Sequence, residues 1–172
     1  MNLLMAATPI AMAQCAHPFS STALVLEWHV LGMFAPSFFT GSLIRRFGAL
    51  PVMVVGVLLN AVCIAVALSG VELMRFLVAL FTLGVGWNFL FIGGTTLFTE
   101  AYRPEERTTA QAAMDTIIFT TMTLTSFSSG ALVTTRGWTW LNLGSILPVL
   151  FVATALAWLA MLRRRSQNLR TT

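Results

Sequence analysis

Few residues in this chain could do ionic chemistry. Among 172 residues there are six acids, two histidines and ten basic residues, every one of them arginine. Two of the few, Glu27 and His29, fall within one long apolar run at residues 23–44. An ionisable group in hydrocarbon costs about 2.5 kcal/mol or more on insertion scales, so each needs a reason to be there. At 100° per residue the two point to nearly opposite faces of a helix and do not form a pair. His29 shares its face with Met33, Pro36 and Thr40. Pro36 has no amide proton and would free the carbonyl of Gly32, which predicts a kink beside a cavity. His29 then has two roles open to it, a hydrogen bond to a neighbouring helix or a place on a substrate or proton path. Asp115 opens a later run, where a carboxylate favours a helix N-terminus through the dipole.

Nothing else assembles a reaction centre. The chain has no Ser/His/Asp set placed for nucleophilic attack, no H-E-x-x-H and no G-x-x-x-x-G-K-[ST]. No His, Cys and carboxylate group has metal-ligand spacing, so neither an enzyme, a cofactor nor a metal is called for. Cys15 and Cys63 read as small hydrophobes and not as a disulfide framework. The uncharged polar residues are more informative. Gly84, Asn88, Phe91 and Thr95 fall within a helical sector of about 60°. A central Asn in a span must find a partner, on another helix or on a ligand. Gly84, Gly86, Gly93 and Gly94 permit close backbone approach. Thr116, Thr120, Thr121, Thr123, Thr125, Ser126, Ser128 and Ser129 can bond their own i−4 carbonyls, and they make this run a candidate wall of a polar path.

The elements that carry these residues follow from composition. The chain is 57% hydrophobic and only 9% charged, against about 25% charged in an ordinary soluble domain. A water-soluble fold of this size could not cover its surface, so the chain is expected to be an all-α integral membrane protein. A bilayer core needs about 20 apolar residues as a helix. The expected bundle has about six transmembrane helices, five full and one partial, over residues 1–16, 23–44, 50–69, 73–99, 112–134 and 139–162, with a basic tail at 163–172. Helices are preferred to a barrel because "VMVVGVLLNAVCIAVALS" does not alternate apolar with polar residues. The spans at 50–69 and 139–162 are plain aliphatic and should face lipid. Trp138 and Trp140 open the last span as an aromatic belt would. The apolar start lacks a basic leader and a small-residue cleavage site, so it does not read as a cleaved signal peptide.

With the first helix running outward, one side holds Arg45, Arg46, Arg103, Arg107, Arg163, Arg164, Arg165 and Arg170. The other holds Arg75 and Arg136. The positive-inside rule makes the first side, and the C-terminus with it, cytoplasmic. The net charge of +4 is then a topology signal and not a nucleic-acid footprint.

On these motifs the chain resembles the C-terminal six-helix half of a major facilitator superfamily transporter. "WHVLGMFAPSFFTGSLIRRFG" is similar to that family's paired-helix segment ending in G-x-x-x-D-x-x-G-[RK]. Gly41, Arg46 and Gly48 match the pattern, Arg45 stands where the acid is usual, and Ala49 replaces the following cation. "TEAYRPEERTTAQA" is similar to the family's loop before its eleventh helix, with Pro104 and Arg107 in place. "MNLLMAATPIAMA" resembles the latter part of the seventh helix, with an N-terminal portion lacking. The resemblance implies transport of a small solute by alternating access, in the plasma (inner) membrane, by a chain that needs a complementary half or a homodimer. It implicates the first, second, fourth and fifth spans in the pathway, with Thr8, His29, Pro36, Asn88, Phe91, Thr95 and Thr120 as lining residues. It makes Gly41, Arg45, Arg46, Gly48, Pro104 and Arg107 the cytoplasmic gate turn. The alternative is a non-transporting membrane protein that associates with a partner through small-residue faces.

Overall fold

A computed structural model describes residues 1–168, and all their regular structure is helical. Arg170, counted above with the basic tail, lies outside the described residues, as do its neighbours at 169–172. The helices are α1 (Asn2–Gln14), α2 (Phe19–Phe34), α3 (Ser37–Phe47), α4 (Ala49–Leu68), α5 (Leu73–Thr99) and α6 (Arg107–Asn168), with a 3-10 turn at Pro104–Glu106 before α6.

Two elements differ from expectation. The span expected at 23–44 is two helices and not one, divided at the kink that Pro36 predicted. α2 ends at Phe34, and α3 restarts after Ala35 and Pro36. The spans expected at 112–134 and 139–162 are continuous in chain and joined without a loop. A straight helix of 62 residues would be about 93 Å long, far beyond any bilayer. Instead the backbone reverses at Gly137, whose φ of 82° and ψ of 177° are open to glycine and strained for other residues. The limb after Gly137 returns to the level where α5 ends, because Arg163 donates to the Glu100 carboxylate at 3.0 Å. That pair is about half exposed and contributes little stability; it does show that the loop after α5 and the end of α6 share one side. Among the described residues, four stretches are long and apolar enough to cross a membrane: Phe19–Phe47, Ala49–Leu68, Leu73–Thr99 and Pro104–Arg163, the last containing both limbs.

α5 is the centre of the bundle. It lies against α4 on one side and α2 on the other, while α6 packs on α1 and α4. Lipid tails are as apolar as leucine, so burying leucine does not by itself hold such helices together; close backbone packing and interhelical hydrogen bonds must. The α4–α5 crossing is glycine on glycine. A Cβ on Gly56 would stand 2.9 Å from the Gly86 carbonyl oxygen, and one on Gly86 would stand 2.9 Å from the Gly56 oxygen. The densest packing lies around Phe76, Leu80 and Leu83 of α5, Met12 of α1, and Val133 and Leu141 flanking Gly137.

Trp138 is not a belt residue. It is buried, its indole N–H donates to the Ala67 carbonyl at 3.0 Å, and its ring lies 5.1 Å from that of Phe76. The end of α4 exposes unpaired carbonyls, and the reversal at Gly137 brings a ring donor to one of them. Trp140 is exposed, as a belt residue would be. α4 and the second limb of α6 are not wholly lipid-facing either. Each turns one face inward, with Asn60 and Cys63 buried on α4 and Asn142 and Ser145 on α6. Their other faces carry Leu58, Leu147, Phe151 and Trp158, all largely exposed and suited to an apolar surround.

Between α3 and α4 stands one residue, Gly48, where the expected spans left residues 45–49. Its φ is 87°, a region that side chains with a Cβ rarely enter. With ψ at 161°, Gly48→Ala should lower stability by about 1–3 kcal/mol, although nothing closer than 3.8 Å would meet the added carbon. Denaturant titration in detergent against the wild type checks this; an unchanged midpoint would mean the turn relaxes freely.

Candidate functional site

The break between α2 and α3 is the most polar place inside the bundle. Pro36 cannot continue the α2 hydrogen-bond ladder. Ala35 N still reaches the Leu31 carbonyl at 2.8 Å, and Thr40 N closes the first turn of α3 on the Pro36 carbonyl at 2.9 Å. The carbonyl that takes a side-chain donor is that of Met33, where the expectation had named Gly32. Asn88 on α5 supplies the donor. Its Nδ2 donates to the Met33 carbonyl at 2.7 Å and to Ser37 Oγ at 2.6 Å, and its Oδ1 accepts from Thr40 Oγ1 at 2.7 Å. Thr40 Oγ1 also lies 2.8 Å from the Pro36 carbonyl. Asn88 is 1% exposed, so the partner it finds within the chain is a broken helix, which it splints.

His29 is on the same face of α2 and fully buried. Its Nδ1 lies 2.7 Å from the Leu80 carbonyl of α5. A carbonyl can only accept, so Nδ1 carries the proton there. Nε2 is buried with no partner among the described residues. Thr8 is also fully buried, its hydroxyl turned back onto the Leu4 carbonyl at 2.8 Å. Pro36 is buried at the break.

The helical sector on α5 divides by depth. Gly84 and Asn88 are buried against α2 and α3, Thr95 is half-buried, and Phe91 is exposed. Phe91 stacks on Trp87, with ring centroids 4.8 Å apart and planes 17° apart. Trp87 was not singled out in the sequence, though its position four residues before Phe91 was a readable signal. Thr95 bonds back to the Phe91 and Ile92 carbonyls. On the first limb of α6, Thr116, Thr123, Thr125, Ser128, Thr134 and Thr135 likewise close on carbonyls three or four residues back. Thr120 is exposed. α1 is tied to this limb by bonds that the sequence did not suggest: Asn2 donates to the Met122 carbonyl at 2.8 Å and to Ser126 Oγ at 2.7 Å, with Thr125 Oγ1 also 3.1 Å away, and Ser129 donates to the Leu3 carbonyl at 2.7 Å.

At the other candidate region, Gly41 is exposed with open space around it, and Arg45 donates to Ser42 Oγ at 3.1 Å. Arg46 lies over the Phe47 ring at 5.2 Å. Both arginines are exposed at the end of α3, where cations complement a helix C-terminus. Pro104 opens the 3-10 turn, and the Glu106 carboxylate accepts from Arg103 N at 3.2 Å. Arg107 begins α6 and is exposed. The structure brings Pro36, Thr40 and Asn88 together and keeps Phe91 and Thr120 outside that cluster.

A helical bundle with membrane-length apolar spans, a one-residue glycine turn after an arginine-ended helix, and a proline-broken helix beside a polar α5 defines an all-α multi-pass membrane protein. The chain belongs to the Major Facilitator Superfamily, whose sequence profile matches residues 1–172. It is 46% identical over 142 residues to the riboflavin transporter RfnT of Brucella anthropi, an alignment covering 83% of this chain and 36% of that protein. It is 30% and 32% identical over 155 residues to the uncharacterized MFS-type transporters YddS and YdeG of Bacillus subtilis, covering 88% of this chain and 36% of each. The chain thus spans about a third of the length of the curated relatives it matches. No solved structure gives a significant match.

Proposed function

We propose that the chain forms part of a secondary transporter that moves a small planar heteroaromatic solute of the riboflavin class by alternating access, together with a complementary half. The stacked pair Trp87 and Phe91, held on the open side of α5, is the observation that carries this reading. A flat conjugated ring gains from offset stacking on such a pair, about 0.5–1.5 kcal/mol beyond its buried area. The Brucella anthropi relative, named a riboflavin transporter, supports the choice of ring. Thr95 and Thr120 offer hydroxyls to a polar substituent. His29, Pro36 and Asn88 keep α2, α3 and α5 in register behind that surface, while Thr8 is buried on α1 with its hydroxyl closed on its own helix. The arginine count supports a plasma-membrane protein with the end of α3 and its turn at Gly48, the Pro104–Arg107 loop and the C-terminus on the cytoplasmic side.

The test is uptake of radiolabelled riboflavin by an auxotrophic bacterium. The cells express this chain together with the remainder of the Brucella anthropi relative, made without its matching segment. Uptake should need both pieces. Trp87→Ala and Phe91→Ala should each raise KM by a few-fold to about tenfold with little change in expression. Uptake absent with both pieces present would remove riboflavin as the solute. Uptake indifferent to both ring variants would remove the aromatic surface.

A further inference from the structure

The face of α2 opposite α5 poses a question that the transport reading leaves open. Glu27 lies eight residues into α2, about 12 Å along the helix from its start at Phe19, inside a membrane-length segment. It is exposed, and no described residue gives it a hydrogen bond or an ion pair. Around it are Ala23, Leu26, Val30, Leu31 and Phe34, which form an open apolar groove along the helix. A carboxylate presented outward from the bundle at this depth cannot be meant for lipid tails, where charge is costly and acids turn toward protein or water.

We propose that this face is a protein seam: it docks on a transmembrane helix of the complementary half that presents a basic side chain opposite Glu27. The proposal rests on the half-transporter reading above and names which surface meets the partner and by what chemistry. Charge decides between candidate occupants. A second copy of this chain docked through the same face would set like faces against each other about a two-fold axis. That would bring one Glu27 toward the other, with Leu24, Trp28, Val30, Leu31 and Phe34 on the exposed surface nearby and, among the described residues of α2, no cation to alternate with it. Like charges facing each other in a desolvated seam oppose association. A helix bearing Arg or Lys fits both the charge and the apolar rim, and its loss would leave each charge buried and alone.

The experiment is affinity capture from detergent-solubilised membranes. The tagged bait is the remainder of the Brucella anthropi relative, and the prey is this full chain. Wild type and Glu27→Asp should be captured equally. Glu27→Gln should lose capture several-fold, and Glu27→Leu and Glu27→Arg at least about tenfold, with each variant monodisperse on size exclusion. Glu27→Leu is the decisive variant. If the face met lipid, the leucine would raise the folded yield and leave capture unchanged, and the inference would fall while the transport reading stood. Glu27→Cys chains linking to one another through that cysteine, in a Cys15→Ser background, would assign the seam to a second copy and overturn it as well. No capture of the wild-type chain would instead overturn the half-transporter reading and this inference with it.

Discussion

Gly84→Leu should separate α2 from α5 and lower stability by about 3 kcal/mol or more, the largest effect expected of any single substitution in the bundle. A Cβ at this position would stand 2.5 Å from the His29 carbonyl oxygen, 3.0 Å from Met33 N and 3.1 Å from the Gly32 carbonyl carbon. All three are backbone atoms, so no side chain can swing aside to make room. Overpacking of a well-packed site typically costs about 1–3 kcal/mol even where side chains can adjust. Here the helices themselves must move apart, and the His29–Leu80 and Asn88–Met33 bonds lie on the same crossing. The control is Gly130→Ala on α6, where an added carbon would meet nothing within 4 Å. Alanine there should be neutral or stabilising by about 0.5–1 kcal/mol through helix propensity. Reversible unfolding in mixed micelles measures both. Equal midpoints for Gly84→Leu and wild type would refute the close crossing.

Asn88→Leu is the second large effect. It removes the donors to the Met33 carbonyl and Ser37 Oγ and the acceptor for Thr40 Oγ1. Interhelical hydrogen bonds in membranes average only about 0.6 kcal/mol by double-mutant cycles, because the unfolded chain in lipid also finds partners. The orphaned Met33 carbonyl adds about 1–3 kcal/mol, since Pro36 has already disrupted the helical ladder there. The expected loss is therefore about 2–4 kcal/mol. Asn88→Asp should be at least as damaging. Its ionised carboxylate could still accept from Thr40, but it would present oxygen to the Met33 carbonyl and bury a charge. Hydrogen–deuterium exchange should report faster exchange across residues 34–40 in both variants. Unchanged protection there would show that the break holds without its splint.

The two substitutions mark where sequence reading stops. That α5 needed glycine at 84 and a partner for Asn88 followed from the α-helical period and the cost of an unpaired amide in lipid. Which groups meet them did not. His29 and Gly84 are far apart in the chain, and their contact exists only because α2 crosses α5 at one angle and one register. The same reason explains Trp138. A tryptophan opening a span is ordinarily placed at the interface, yet the reversal at Gly137 turns this one toward the end of α4. It explains the hydroxyls of α6 too: composition made them a polar wall, and local geometry closes many of them on their own helix.

The sequence by itself determined the solvent, the helices and the distribution of arginines between the two ends. Apolar length, helical period and charge placement are local properties, and hydrocarbon punishes any unpaired amide whatever surrounds it. Tertiary structure alone decided that Asn88 binds the break that Pro36 predicted, that Phe91 is placed outward on its stack with Trp87, and that of the opposed pair His29 is buried and Glu27 exposed. Each of these depends on which distant helix lies alongside, and that is set by glycine-to-backbone contacts a fraction of an ångström in tolerance.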